Sequence, residues 1–434
     1  MKIKNHIINK IAIVLLFGFM FQSCLFHEED IFDKPAYQRL TDAVQFNFDN
    51  FVSAPNGWEM RYFPTSDQQG FTLLMRFYEN EFATLMGRNI TTGNVDLVES
   101  GRFRMRPGEG AILSFDTENP VIHEFANPSR PPVGIGFGGD YEFVVIRATE
   151  DFVQLRGLRR HTNIEMRRMP AGKDWSQHFD ELDAMRTFLL DRNVILQLNR
   201  GSQVIYSLQN STSGVFDAAV IDSVVGQIPF VITTSGLSFE RPFPIGIAEN
   251  QIVQVQNFNL NEARNQLISA ENQNFTIAAP PLGEFFRNGG TGNVVFLAEK
   301  QEISGMDALF DQLAADMIAA FNPNFELTNI GFGRHENNFV LALRVRNGTV
   351  GLFSIPLVVA GNNITIPAFD VDNMQFANNP AENNARLFYD RVASIRQLLS
   401  LIQGEYTLET STPFNLHHMK FTKTDGSLMF NTSR

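Results

Sequence analysis

The chain has 434 residues and a formal net charge of −12, with 44% hydrophobic and 19% charged residues. This composition is typical of a folded globular protein and excludes disorder throughout. The acidic excess argues against nucleic acid as a partner, because a phosphate-binding surface needs surplus Lys and Arg. The single cysteine excludes an intrachain disulfide framework and a cysteine-based zinc site.

The N-terminus has the pattern of an export signal. Three lysines precede or flank an unbroken run of apolar residues and glycine from Ile11 to Met20. This run of ten residues is too short for a membrane-spanning helix, which needs about 20, but it is typical of a signal peptide. We therefore predict that residues 1–23 are a lipoprotein signal peptide.

Cys24 follows this run in the sequence Phe-Gln-Ser-Cys, which resembles a bacterial lipobox. In a lipobox the cysteine thiol is acylated and the chain is cleaved just before it; the alternative is a lone cysteine behind an ordinary signal peptide. Cleavage would leave 32 basic and 47 acidic residues, because three lysines are lost. Anionic headgroups would repel such a chain, so lipid must anchor it, at about 0.8 kcal/mol for each buried methylene.

An acidic cluster of Glu28, Glu29 and Asp30 lies close behind Cys24. It resembles the surface-export signal of Bacteroidota lipoproteins, and the alternative interpretation is a solvated tether. We predict an acidic tether over residues 24–34 and a lipid-anchored protein of the outer membrane that faces the cell exterior.

Four stretches have the periodicity of amphipathic helices. The first runs from Pro35 to Val52, and the second follows Asp174, whose carboxylate can cap its N-terminus. The third begins at Ser304, and the fourth runs from Pro380 to a residue shortly before Gly404, which is the expected placement of Pro and Gly at helix ends. The residues predicted to face inward are Leu40, Val44, Phe48, Phe51, Trp175, Phe179, Leu182, Leu189, Leu309, Phe310, Leu313, Met317, Phe321, Leu387, Phe388, Val392, Ile395, Leu399 and Ile402.

Between these helices the hydrophobic pattern has a period of two, as in strands. Strand-like runs occur at 58–62, 102–106, 141–146 and 339–343. Asn-Gly and Asp-Gly pairs predict tight turns between antiparallel strands; they occur at Asn56-Gly57, Asn347-Gly348 and Asp425-Gly426.

Since strands do not alternate regularly with helices, the predicted fold class is α+β, with predominantly antiparallel β-sheet lobes and four amphipathic helices. We predict an N-terminal β-rich domain with a leading helix over 35–172 and a C-terminal α+β domain over 173–434.

Four segments carry a family resemblance: 54–64, 113–123, 138–143 and 237–245. Together with the lipobox they resemble a domain-of-unknown-function family of Bacteroidota surface lipoproteins. The resemblance is strongest over about residues 24–170. It implies a gene beside a starch-utilisation-type uptake system and, as partners, a TonB-dependent channel and its lipoprotein lid. It implies no catalytic residues.

Motifs for metal or nucleotide chemistry are incomplete. A zincin helix needs His-Glu-x-x-His, whereas the sequence from His335 to Phe339 lacks the second histidine. His417 and His418 are adjacent, so on a strand they point to opposite faces. Gly134 to Gly139 matches Gly-x-Gly-x-x-Gly, but a strand-like run follows it where a dinucleotide fold needs a helix. We predict no metal and no cofactor.

Two pairs of acids, Asp116 with Glu118 and Asp140 with Glu142, have the spacing that places residues on one face of a strand. Such a pair could act as acid and base in glycoside cleavage, although solvated strand faces are the alternative. The 41 Phe against 2 Trp and 7 Tyr favour a packed core or an apolar contact surface over a sugar-stacking module. Ser223, within Asp-Ser-Val, matches a weak signal for O-glycosylation.

Three hypotheses follow. The leading one is a non-catalytic accessory or binding component of an outer-membrane nutrient-uptake complex. The second is a metal-independent hydrolase that uses a carboxylate pair, and the third is a structural surface protein whose Phe-rich face contacts the channel or its lid.

Overall fold

A computed structural model describes residues 33–88, 95–130, 133–134, 136–212, 214–220, 223–248, 251–376 and 380–434. All sheet pairings in these ranges are antiparallel, and they form two closed eight-stranded barrels and a half-barrel. The predicted predominance of antiparallel sheet is confirmed. The first two predicted lobes are closed barrels, because the first and last strands of each unit pair with each other.

The first barrel is a meander closed by pairing of its first and eighth strands. Its interior is filled with buried apolar side chains, many of them aromatic, among them Trp58, Tyr62, Phe77, Phe103, Phe115 and Phe143. The strands are β1 (Trp58–Tyr62), β2 (Phe71–Phe77), β3 (Phe82–Gly87), β4 (Leu97–Pro107), β5 (Ala111–Phe115), β6 (Glu142–Ala148), β7 (Phe152–Gly157) and β8 (Asn163–Arg168).

Aromatic residues also pack at the two ends of β1. Helix α1 (Ala36–Val52) brings Phe51 against Trp58 and Phe77, with ring centroids 6.1 and 5.0 Å away. At the other end of β1, Phe125 from a short 3₁₀ turn lies 4.8 Å from the ring of Tyr62. The first barrel is therefore a packed core rather than a container for a ligand.

The second barrel is also a meander, closed by pairing of its first and last strands. Helix α2 (Trp175–Leu189) connects the two barrels, and Asp174 caps it by accepting a hydrogen bond of 2.8 Å from the Gln177 amide, as predicted. The strands are β9 (Ile195–Arg200), β10 (Gln203–Thr212), β11 (Val215–Val220), β12 (Ser223–Thr233), β13 (Gly236–Ala248), β14 (Gln251–Leu260), β15 (Gln266–Ser269) and β16 (Phe275–Ala278).

The half-barrel is built from strands that are far apart in the sequence, in the order β21-β20-β19-β17-β26-β25-β24-β23-β22, with β18 paired to β26. Its helices pack on the same apolar core as the second barrel. The strands are β17 (Val294–Glu299), β18 (Ile303–Ser304), β19 (Leu327–His335), β20 (Asn338–Val345), β21 (Val350–Ser354), β22 (Val358–Ala360), β23 (Asn363–Ile366), β24 (Gly404–Glu409), β25 (His418–Lys423) and β26 (Met429–Ser433).

The predicted count of four helices is wrong, because the described residues contain six. One additional helix is α3 (Leu282–Glu284). The other arises because the predicted fourth helix is divided into α5 (Pro380–Arg391) and α6 (Ser394–Leu401). Ser394 starts α6 and donates a hydrogen bond of 2.6 Å to Asp316. This contact ties α6 to α4 (Asp307–Ala320).

Several local expectations are corrected by the packing. The third predicted helix begins at Asp307, because Ser304 belongs to β18. Leu387 is 38% exposed and does not face the core. Asn56-Gly57 links α1 to β1, whereas Asn347-Gly348 and Asp425-Gly426 lie in hairpins as predicted.

The predicted domain division after residue 172 falls between the first barrel and α2. It stays a prediction. The two barrels contact each other through polar and apolar groups. The amide of Gly70 donates to Phe230 O at 3.0 Å, and Arg61 Nη1 donates to Asn257 Oδ1 at 3.1 Å. Leu74 and Met86 of the first barrel belong to the same buried apolar cluster as the core of the second.

Candidate functional site

A cleft of about 1160 Å³ lies between the second barrel and the half-barrel. Strand alternation forms its barrel wall: on β9 and β10, Leu196, Leu198 and Leu208 are buried in the core, so the residues between them point outward. The outward side chains of Gln197 and Gln209 line the cleft. The outward Ile195 of β9 lines the same wall, which therefore combines polar and apolar groups.

The barrel wall presents neutral hydrogen-bonding groups. Within the described part of the chain, the side chains of Gln197, Ser207 and Gln209 carry no hydrogen bond, so they are available to a ligand or to water. Asp217 lines the same wall and accepts a hydrogen bond of 3.0 Å from Gln227 Nε2.

The opposite wall includes the segment after the second barrel, where α3 continues into a π-turn over Phe285–Gly289. Such turns occur frequently at functional sites. Glu284 and Arg287 from this segment line the cleft and form an ion pair, with Arg287 Nε donating to Glu284 Oε2 at 3.0 Å. Each of these charges therefore has a partner of opposite sign.

The β19–β20 hairpin completes this wall. Its two turn residues, Glu336 and Asn337, have φ values of +47° and +68°, as the two central positions of a type I′ turn require. The turn places Asn337 so that its Oδ1 accepts a hydrogen bond of 2.7 Å from Arg334 Nη2. Arg334 Nη1 donates to Gly290 O, which joins the hairpin to the end of the π-turn.

Arg334 lines the cleft although only 8% of its surface is exposed. Burial lowers the pKa of Arg334, but a guanidinium keeps its proton in proteins. Its Nε is buried without a hydrogen-bond partner. The cleft thus contains a buried positive charge beside two neutral acceptors.

Apolar residues close the bottom of the cleft. Phe286 and Phe339 are almost fully buried and meet edge to face with ring centroids 5.1 Å apart. Their packing fixes the π-turn against the hairpin. This packing therefore holds in place the polar groups that the π-turn and the hairpin contribute to the cleft.

The predicted acid pairs are arranged differently from the sequence expectation. Asp116 and Glu142 converge on Ser114, whose hydroxyl lies 2.8 and 3.2 Å from their carboxylate oxygens. They lie in a groove of about 720 Å³ on the first barrel, which Glu118 also lines. Asp140 is instead buried, and its Oδ2 accepts from the backbone amides of residues 159 and 160.

Each carboxylate that reaches Ser114 is paired with an arginine of β4. Arg104 lies 3.2 Å from Asp116, and Arg106 lies 2.6 Å from Glu142. Both carboxylates are therefore held by an ion pair as well as by the Ser114 hydroxyl.

The histidines that were considered as metal ligands do not cluster. His335 ends β19 and leads into the hairpin turn, which agrees with the missing zincin helix. His417 and His418 are both exposed. Over the described ranges, no group of three or more His, Cys, Asp or Glu side chains is disposed to hold a metal ion.

Most phenylalanines of the described residues lie in the core or pack against it. Among the described residues, Phe46 and Phe82 are the phenylalanines with more than a third of their surface exposed. Trp58 is fully buried, and Trp175 is half-buried with its Nε1 donating to Asn56 O at 3.1 Å. Most of the described aromatic residues are therefore packed in the core, as the aromatic composition favours.

Cys24, Glu28, Glu29 and Asp30 lie outside the described residues. Ser223 begins β12 and its backbone pairs with Val220. Within the part of the chain that the structure covers, no helix has the length and apolar character needed to cross a membrane.

Sequence reasoning missed the cleft residues Arg334, Gln197 and Gln209. The alternation of β9 and β10 and the turn sequence after Arg334 are signals that could have located the wall and the hairpin. The alternation of Ile330, Phe332 and Arg334 places Arg334 on the core face of β19, but its contact with Gly290 and its place beside the half-barrel core depend on distant segments.

Comparison with protein families gives a match to the model of a domain of unknown function, DUF4302, over residues 28–262. The match covers more than half of the chain and includes the first barrel and β9–β14. It therefore includes the barrel wall of the cleft and ends before Arg334. No curated protein matches the chain.

Proposed function

The chain belongs to the DUF4302 family of domains of unknown function, and from this premise we propose that it is a non-catalytic binding protein anchored by lipid to the outer membrane. Its ligand site is the cleft between the second barrel and the half-barrel. The polar cleft of about 1160 Å³ is the observation on which the binding role depends.

The size and chemistry of the cleft support a binding role. Ligand sites of small molecules usually measure about 300–1000 Å³, so this cleft has room for a ligand larger than one sugar or amino acid. Unpaired amide groups on one wall can bind and orient such a ligand. The first barrel supplies no comparable interior, since aromatic side chains fill it.

The N-terminus supports the proposed location. The charged and apolar run before Cys24 resembles a lipoprotein signal peptide, and Glu28, Glu29 and Asp30 resemble a surface-export signal. Acylation of Cys24 would hold an acidic protein on an anionic surface that otherwise repels it. The proposed partners, a TonB-dependent channel and its lipoprotein lid, depend on the sequence resemblance to Bacteroidota surface lipoproteins.

The location is tested with Cys24→Ala. We expect the wild-type chain in the outer-membrane fraction and the variant in the soluble fraction, because the variant lacks the acylated thiol. A triple variant, Glu28→Gln, Glu29→Gln and Asp30→Asn, should stay membrane-bound but become resistant to protease added to whole cells. Equal membrane association of the wild type and Cys24→Ala would refute the lipid anchor.

The role in uptake is tested by co-purification from solubilised outer membranes. We expect the wild-type chain to retain a TonB-dependent channel, and deletion of its gene to reduce growth on the nutrient that this channel imports. Hydrolysis of a peptide or glycan panel that is lost in Asp116→Asn and Glu142→Gln would instead establish the hydrolase hypothesis.

A further inference from the structure

Arg334 occupies a position where the strand pattern calls for an apolar residue. Residues 330, 332 and 334 share one face of β19, and Ile330 and Phe332 are fully buried in the core on that face. Arg334 ends this row at the rim of the half-barrel, where the core gives way to the cleft. A charged side chain is therefore placed at the boundary between core and cleft.

This guanidinium has no counter-charge among the described residues. Its two hydrogen bonds go to the neutral acceptors Gly290 O, at 2.5 Å, and Asn337 Oδ1, at 2.7 Å. The two acids that line the cleft have other partners: Glu284 pairs with Arg287, and Asp217 accepts from Gln227. Three of the five N–H groups of Arg334 remain unused, and one of these, on Nε, is buried.

A buried charge without a partner of opposite sign is unfavourable in the folded state. The cleft gives a ligand access to this charge, and the planar guanidinium fork matches a carboxylate. We propose that Arg334 binds a carboxylate of the ligand, so that the cleft selects an organic acid over a neutral compound. This inference rests on the proposed binding function and specifies its ligand class.

The other cleft groups fit the neutral remainder of such a ligand. Gln197, Ser207, Gln209 and Asn338 offer donors and acceptors that carry no hydrogen bond among the described side chains. They can bind hydroxyl or amide groups next to the carboxylate. Two sources provide this chemistry, a sugar acid and the free C-terminus of a short peptide, and the experiment separates them.

The first experiment uses acetate as the probe and chloride at equal ionic strength as the control. In the mature chain, the Nε–H NMR signal of Arg334 should shift saturably with acetate and not with chloride. Acetate should also raise the melting temperature of the wild type and of Arg344→Gln, but not of Arg334→Gln. Arg344 is a matched control because it is an exposed arginine on the neighbouring strand β20.

A purely structural role of Arg334 predicts a different result. The substitution would lower the melting temperature, but the wild type would show no acetate-specific shift. The NMR titration needs only the folded wild type, with Arg334→Lys to assign the signal, so it decides the question even if Arg334→Gln does not fold. Absence of a saturable shift overturns the proposal.

The second experiment compares neutral and acidic ligands by calorimetry. Trigalacturonate is compared with galactotriose, and trialanine with its C-terminal amide. We expect one acid to bind about tenfold or more tightly than its neutral partner, because hydrogen bonds to a charged group are strong. Arg334→Gln should remove this preference and Arg344→Gln should keep it, and the acid that binds identifies the source.

The two proposals fail in different ways. If the wild type bound trigalacturonate no more tightly than galactotriose, and trialanine no more tightly than its amide, the carboxylate proposal would be overturned and the cleft would remain a binding site. If the wild-type chain were neither attached to the membrane nor co-purified with a channel, the proposed function would be refuted. The result of the acetate titration would not depend on this.

Discussion

Glu59 is a buried carboxylate in the contact between the first barrel and α2. His178 Nε2 lies 2.9 Å from Glu59 Oε2, and Arg61 Nε donates to Glu59 Oε1 at 3.2 Å. Burial raises the pKa of Glu59, but the contacts with His178 and Arg61 outweigh burial, and the pKa is lowered from its ordinary value of 4.5. Folding therefore favours the ionised form of Glu59.

This shift has a defined effect on stability. Because the folded pKa lies below the unfolded one, the unfolded chain binds more protons, and the contribution of Glu59 is present above about pH 4.5. It is lost as the pH falls through the folded pKa. At neutral pH, Glu59→Gln should lower the free energy of unfolding by about 3 kcal/mol, since one partner of a buried pair is removed.

Urea denaturation at pH 7 and pH 4 tests this prediction, with Glu409→Gln as the control. Glu409 pairs with Lys420 at the surface and should contribute less than about 1 kcal/mol. The difference between the wild type and Glu59→Gln should be smaller at pH 4. An equal difference at both pH values would show that ionisation of Glu59 does not matter.

At the scale of elements, α1 stabilises the first barrel through one face. Phe51 is fully buried against Trp58 and Phe77, whereas Phe46 on the same helix is 58% exposed. The helix therefore carries a core residue and a surface residue of the same type within five positions. This gives a matched pair of substitutions.

Phe51→Ala should lower the free energy of unfolding by about 3–5 kcal/mol, because it leaves a cavity among aromatic residues. Phe46→Ala should change it by less than about 0.5 kcal/mol. Urea unfolding followed by tryptophan fluorescence measures both, since one of the two tryptophans, Trp58, contacts Phe51. Similar effects of the two substitutions would mean that α1 does not pack on the barrel end.

At the scale of the whole molecule, Asp191 connects the second barrel to the half-barrel. Its side chain is 1% exposed and accepts hydrogen bonds from the amides of Asn193 and Leu416, at 2.9 and 3.1 Å. Arg434 Nη1 donates to both of its oxygens at 3.1 and 2.9 Å. One carboxylate thus joins three segments of the chain.

Asp191→Ala should reduce hydrogen-exchange protection of residues 416–434, because Leu416 and Arg434 both lose their acceptor. The expected loss in the free energy of unfolding is about 3–5 kcal/mol, as for a broken buried ion pair. Asp311→Ala is the control, since Asp311 is exposed and pairs with Lys300 at the surface. Unchanged protection of 416–434 would contradict this role of Asp191.

Sequence alone located the features that depend on neighbouring residues. β1 has the predicted bounds Trp58–Tyr62, Asp174 caps α2, and the burial of β4 alternates through Phe103 and Met105. Hydrophobic periodicity and helix capping act over a few residues. A short stretch of sequence is therefore enough to predict these features.

Only the tertiary structure decided barrel closure, the division of α5 from α6, the convergence of Asp116 with Glu142, and the cleft. Each depends on contacts between segments distant in sequence, such as the pairing of β1 with β8. The clearest case is Arg334, a charged residue at the end of the core-facing row of β19. It is buried by the contact with Gly290, 44 positions away, and by a core to which the whole half-barrel contributes. Contacts between distant segments therefore determine its environment.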